Sequence, residues 1–175
     1  MRQRAGREVE RPGALRPVLA AAMLRLAGPT RAAVLDPCCG TGTIVREALD
    51  QGRRAIGADL DAGALAAARA NLPPPAALVR ADAAALPVAS DTVGAVVTNP
   101  PFGRRHAQAE DPARWLRAAF AEFRRVVVRG GAVVVLHPRS PAFESAVLQP
   151  HHALLRSRHH VELLGLRTTI WTFRT

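Results

Sequence analysis

Residues 32–43 read AAVLDPCCGTGT, an apolar run that closes on Asp36 and passes through a proline and two cysteines into a glycine-rich turn. A short apolar run bounded by turn residues has the length and texture of a strand buried on both faces. Gly40 and Gly42 free the backbone to turn tightly or to approach a ligand. The stretch predicts the first strand of a sheet, a loop over its end, and a helix starting near Thr43.

The same pattern recurs outward from it. RRAIGAD (53–59), AALVRAD (76–82), TVGAVVTN (92–99) and GAVVVLH (131–137) are short apolar runs, several ending in Asp, Asn or His. Helical patterns fill 43–51, 61–72 and 111–128. Strands alternating with helices imply right-handed crossovers and a parallel sheet covered on both faces. In the tail, VELLGLRTTIWTFR (161–174) pivots on Gly165 and predicts an antiparallel hairpin that finishes the sheet. The expected class is α/β and Rossmann-like: seven strands, mostly parallel, helices on both faces, and a C-terminal hairpin.

Two helices have further detail. From Pro12 to Gly28, Leu15, Val18, Leu19, Met23 and Leu26 recur at helical spacing, and Gly28-Pro29 ends the helix. The second starts with Asp111 as N-cap and Pro112 at the first helical position, and carries Leu116, Phe120, Phe123 and Val127 as an apolar stripe. Gly130-Gly131 is expected to end it. Arg114 and Arg125 fall opposite the stripe and Arg117 and Arg124 beside it, as a solvated face would. Residues 1–11 read as a basic flexible tail and 12–175 as one domain, and Pro73-Pro74-Pro75 as a turn.

Composition narrows the function. No run approaches the roughly 20 apolar residues of a membrane span, and the N-terminus lacks a signal-peptide pattern, so a cytoplasmic location is expected. Cys38 and Cys39 are adjacent, which suits neither a disulfide framework nor a zinc or redox spacing, and they read as small core-lining residues. The doublets His151-His152 and His159-His160 read as surface or hairpin residues, so no metal site is expected. A formal charge of +10 favours a polyanion. All 24 basic residues are Arg and Tyr is absent, a pattern that codon bias also produces. Charge alone therefore supports a nucleic-acid partner only weakly.

The chemistry is written at the strand ends. Asp59 closes the second strand 23 residues after Asp36, near the offset at which an acid grips ribose hydroxyls in nucleotide folds. Asp82 closes the third. A dinucleotide would set its pyrophosphate at the glycine loop, where Asp36 repels it, and Val45 replaces the third glycine of that fingerprint. The absence of Lys removes a P-loop. S-adenosyl-L-methionine, cationic at sulfur and amino group, suits Asp36 instead. The plainer alternative, that each acid is a turn-former, must explain three acids at three successive strand ends.

TNPPFGRR (98–105) follows the fourth strand. Prolines lack N–H groups, so Asn99, Pro100, Pro101 and Phe102 form an acceptor-rich segment with an aromatic wall. Such a segment suits a planar exocyclic amine: the Asn99 oxygen and Pro100 carbonyl would hold its two hydrogens while Phe102 stacks on the base. A Pro-rich turn with a core Phe is the plainer reading. Arg104 and Arg105 could clamp phosphates or stay solvated, and His137, at the end of the fifth strand, could approach the pocket.

With LDPCCGTGT, GADLD, RADAAALP and TNPPFGRR together, the chain resembles the class I S-adenosylmethionine-dependent methyltransferases that modify exocyclic amines. More narrowly it resembles the catalytic domain of tRNA guanosine-N2 methyltransferases that usually carry a THUMP domain. GALRPVLAAAMLRLA (13–27) resembles that subgroup's leading helix. The resemblance implies that Asp36, Gly40 and Gly42 hold the methionine part, Asp59 the ribose, Asp82 the adenine amine, and Asn99 to Phe102 the target nitrogen. Cys38, Thr43, Leu60 and Ala83 join the cofactor-binding set, which Asn99 also borders. No THUMP domain is found in this sequence, so RNA capture is expected from a separate RNA-binding partner or from the Arg-rich surface. Guanine N2 in tRNA or other RNA is the expected target. The alternatives are a DNA adenine or cytosine amine, a protein glutamine, or a non-catalytic scaffold.

Overall fold

The structure, a computed structural model, describes residues 15–102, 111–163 and 165–175, with nothing given for the Leu163 side chain. The basic tail, the first residues of the leading helix and the Arg104-Arg105 pair lie outside the described residues.

Helix α1 (Pro17–Ala27) precedes strand β1 (Val34–Asp36), then α2 (Thr43–Asp50), β2 (Ala55–Asp59), α3 (Ala62–Asn71) and β3 (Ala77–Arg80). β4 (Val93–Thr98), α4 (Pro112–Val126) and β5 (Val127–His137) follow. Pro141–Phe143 forms a helical turn that widens into a π-type turn over Glu144–Leu148. β6 (Leu155–Leu163) and β7 (Leu166–Arg174) close the chain. The strand order is β3-β2-β1-β4-β5-β7-β6, with β7 antiparallel to both β5 and β6. The expected seven-stranded sheet and C-terminal hairpin are both present.

All six residues of β4 are buried, because the central strands carry cover on both sides. Leu35, Val96, Val133 and Val135 pack with α4, Phe143 and Trp171 on one face. Val34, Ala95, Val97 and Val134 pack with α1, α2 and α3 on the other. This explains why the strands read as continuous apolar runs rather than as alternating ones.

Three details of the helices and strands differ from the sequence reading. Val18 is 72% exposed, and the inward face of α1 is Ala20, Met23, Leu24 and Ala27. The alanines let the helix approach the sheet closely enough to bury this face instead. α4 does not run to Gly130-Gly131: it ends at Val126, and Val127 already pairs with Val93 in the sheet. Val127 and Val128 are better satisfied in the sheet than in another helical turn. Gly130, at φ +77°, sits in an irregularity of β5 that Thr175 ties down, accepting from the Gly130 amide at 2.8 Å. β3 ends at Arg80, so Asp82 lies in a tight turn two residues beyond it, where it bridges Ala85.

Not all of the α4 arginines are merely solvated. Arg125 donates to Glu122 and to the carbonyls of Val88 and Leu86, while Glu122 accepts from the Leu86 amide at 2.8 Å. This pair clamps the loop after Asp82 against α4. Arg114, Arg117 and Arg124 are exposed as expected. His151 is half-buried and stacks on Phe120 at 4.7 Å, so it is more than a surface residue. At the open edge of the sheet, β6 exposes Arg156, Arg158, His159 and His160.

Gly57 on β2 does the work of the glycine missing at Val45. A methyl group there would sit 2.8 Å from Leu78 Cδ2 and 3.1 Å from both Cys39 Sγ and Val45 Cγ2. The strand is bare where the helix crosses it. Gly57→Ala is expected to cost about 1–3 kcal/mol, lowering the melting temperature in thermal unfolding by about 2–10 °C. An unchanged melting temperature would show that the contact relaxes freely.

Candidate active site

β1 and β4 are neighbours where the strand order reverses, with Leu35 paired to Val96. The loop after β1 and the segment after β4 therefore leave the sheet side by side, in the crevice that such sheets use for ligands.

Asp36 ends β1 and is 2% exposed. Its Oδ1 accepts from the Cys38 amide at 3.2 Å. Burial pushes its carboxyl from 3.8 to about 7; the Thr98 hydroxyl and the Cys38 amide pull the value down, and the Asp59 charge adds to the rise. Thr98 Oγ1 is buried without a partner of hydrogen-bond geometry, so its influence is that of a nearby dipole. Burial, then the charges of Asp36 and Asp59, also push both cysteine thiols up. Cys38 keeps some exposed surface, yet its thiol is densely surrounded. Neither thiol ionises near neutral pH, so neither serves as a nucleophile.

The loop between β1 and α2 is held from several sides. The Cys39 amide donates to the Ala58 carbonyl and the Gly40 amide to Asp59 Oδ2, each at 2.8 Å. Asn71, at the end of α3, donates its side-chain N–H to the Thr41 carbonyl at 3.1 Å. Gly42, at φ +84°, caps α2, and a methyl group on it would lie 3.2 Å from Leu72. Gly40, at φ +53°, is different: a methyl group there meets nothing within 4 Å. The loop is thus packed below and open above.

The other expected residues end or follow β2, follow β3, or open α2. Asp59 ends β2, and its Oδ1 accepts from the Asp61 amide at 3.0 Å. Leu60, next along the chain, is 61% exposed. Asp82 Oδ1 accepts from the Ala84 amide at 2.9 Å and from the Trp115 indole at 3.3 Å. Thr43 and Ala83 are buried.

From β4, Asn99 is half-buried and its Oδ1 is buried with no hydrogen-bond partner. Pro100 is buried, and Pro101 and Phe102 are half-buried. Phe102 presents its ring edge-on to His137 at 5.6 Å, and His137 stacks on Phe143 at 4.4 Å. His137 Nδ1 lies 2.6 Å from the Pro138 carbonyl, an acceptor, which assigns the hydrogen to that nitrogen. His137, 3% exposed, thus reaches the acceptor segment by supporting Phe102 from below.

The sequence reading missed Trp115, Asn71 and the Glu122–Arg125 pair. Each acts across the fold, and only the N-cap at Asp111 signalled that the first turn of α4 begins near the site.

These strands and helices are arranged as the Rossmann-like fold of class I methyltransferases. The chain belongs to the RMKL-like methyltransferase domain family, whose model matches residues 4–162. It is 32% identical over 142 residues to the tRNA (guanine(10)-N2)-dimethyltransferase of Methanothermobacter thermautotrophicus, covering 78% of this chain and 42% of that protein. It is 34% identical over 130 residues to the U6 snRNA (guanine-N(2))-methyltransferase THUMPD2 of Bos taurus, covering 70% of this chain and 25% of that one. The crystal structure of TrmN from Thermus thermophilus matches with a TM-score of 0.74 and 31% identity, over 93% of this chain and 50% of that one. The chain thus spans less than half the length of the two curated relatives. Family and fold imply S-adenosylmethionine as methyl donor. The residues present suit it: a buried carboxyl with no cation against it among the described residues, open space over Gly40, and an uncovered apolar side chain beside Asp59.

The Asp36 carboxyl has a value of about 7 in the folded chain against an ordinary 3.8. The folded state therefore holds an extra proton between these values, and stability falls as pH rises through that window and levels off above it. Asp36→Asn keeps the acceptor for Cys38 and removes the buried charge. It is expected to match the native melting temperature near pH 4 and exceed it at pH 8, and to weaken cofactor binding. Parallel melting curves across pH 4–8 would show that Asp36 ionises at its ordinary value.

Proposed function

We propose that the protein transfers the methyl group of S-adenosylmethionine to an exocyclic amine of a nucleobase, with guanine N2 in tRNA or another RNA as the target. The carrying observation is the buried, unpartnered Asn99 Oδ1 at the end of β4. A buried acceptor without a partner costs about 1–3 kcal/mol, a cost that a bound N–H donor removes. A non-catalytic scaffold has no use for it.

Bound S-adenosylmethionine supplies an electrophilic methyl group on a sulfonium. Asp36, ionised by the approach of a cation, holds the methionine amino group, with Cys38, Gly40, Gly42 and Thr43 shaping the cradle. Asp59 takes the ribose hydroxyls, Leu60 covers the adenine face, and Asp82 with Ala83 takes the adenine edge. Asn99 Oδ1 and the Pro100 carbonyl accept the two amine hydrogens, which turns the nitrogen lone pair out of conjugation. Pro101 offers no competing N–H, and Phe102, steadied by His137, stacks on the base.

Guanine N2 is favoured because two relatives of this chain are named for guanine N2 methylation of tRNA and of U6 snRNA. RNA beyond the target base would be engaged by exposed arginines such as Arg114 and Arg117, by Arg104 and Arg105, or by a separate RNA-binding protein. No helix among the described residues is long and apolar enough to cross a membrane, which accords with a proposed cytoplasmic setting.

Incubation with methyl-labelled cofactor and, separately, total RNA, DNA and protein, followed by digestion, tests the substrate. N2-methylguanosine from RNA is expected, and label found solely on protein glutamine or on DNA would overturn the assignment. Asn99→Ala is expected to lower turnover by about 10²-fold with cofactor affinity nearly unchanged, as read by single-turnover kinetics and calorimetry. Full activity would reduce Asn99 to a turn residue.

A further inference from the structure

We propose that Trp115 is a positioning residue for cofactor recognition: its indole N–H fixes Asp82 so that one carboxylate oxygen is left to read the adenine amine. The inference rests on the reading of Asp82 as the adenine acid.

Asp82 stands beyond the end of β3, in a turn rather than in the sheet, so no strand pairing beyond its bridge to Ala85 orients it. Two donors converge on Oδ1, the Ala84 amide at 2.9 Å and Trp115 Nε1 at 3.3 Å. The first is local and turns with the loop. The second comes from the first full turn of α4, which is anchored by Asp111 accepting from the Arg114 amide at 2.9 Å. Oδ2 has no hydrogen-bond partner among the described residues. A carboxylate with one oxygen doubly occupied and the other vacant presents a single acceptor in a fixed direction, as recognition of one N–H requires.

The same helix holds the far end of this loop, since Glu122 and Arg125 bind the backbone of Leu86 and Val88. α4 therefore grips the Asp82 loop at both ends. It is also the helix next in sequence after the NPPF segment. Selection of the cofactor's base thus depends on one rigid element.

The test compares S-adenosylhomocysteine with its inosine counterpart, in which a carbonyl replaces the adenine amine. The native protein is expected to bind the adenine form about 10- to 100-fold more tightly. Trp115→Phe keeps a ring against the apolar cluster and removes the N–H; it is expected to lose most of that preference, chiefly by weaker binding of the adenine form. If both forms weaken equally, or if the preference survives intact, Trp115 only packs and the proposal falls while the Asp82 reading stands. If the native protein binds both forms alike, the reading of Asp82 falls and the proposal with it. A second measurement needs no variant. The chain has 2 Trp, and Trp171 Nε1 is buried against the His137 carbonyl at 2.9 Å, so the faster-exchanging indole N–H resonance belongs to Trp115. Its chemical shift is expected to move on saturation with S-adenosylhomocysteine and much less with the inosine form; a stationary signal overturns the proposal.

Discussion

The hydrogen bond from the Gly40 amide to Asp59 Oδ2, 2.8 Å long, joins the loop after β1 to the end of β2. Everything at the site depends on it, because it fixes the glycine turn against the neighbouring strand before any ligand arrives. Gly40 makes the bond in a left-handed conformation, at φ +53°. That conformation in turn opens the space above the loop. Asp59 is therefore already engaged on both oxygens, by the Gly40 and Asp61 amides. Under the proposed ribose contact these acceptors would be shared with the backbone, which would link ligand and loop conformation through one carboxylate.

Close approach is what the sheet demands elsewhere. The central strands are covered on both faces, and the cover is brought near by removing side chains at chosen points. Gly57 is bare under Cys39 and Val45, and Ala20 and Ala27 bring α1 down onto the sheet. The same tight burial makes Asp36 difficult to ionise and keeps both thiols protonated. Packing and electrostatics at the site have one cause, the removal of water from the end of β1.

Much of this was legible in the sequence. The doubly buried strands announce themselves as apolar runs, and Asp36 and Asp59 mark where β1 and β2 stop, because a buried strand tolerates a carboxylate best at its end. The NPPF segment was readable for a similar reason, since prolines declare which hydrogen bonds cannot be made. The end of α4 was not readable: helix passes to strand between Val126 and Val127 without a turn residue, and the later glycines serve a bulge. Val18 and Leu24 compete for the same amphipathic period, and only packing decides between them. Trp115, Asn71 and the Glu122–Arg125 pair meet their partners across long sequence distances, which no local pattern encodes.

The outermost strand gives the basic composition a second meaning. β6 leaves one edge of the sheet unpaired, and along it Arg156 and Arg158 are exposed. An open edge is a template on which another copy's strand can add, and cationic side chains oppose that addition by mutual repulsion. Part of the positive charge is thus a colloidal safeguard as well as an attraction for a polyanion. Both effects are Coulombic and both fade together as ionic strength rises. The salt that would release the proposed nucleic-acid substrate also lowers the barrier between neighbouring sheet edges.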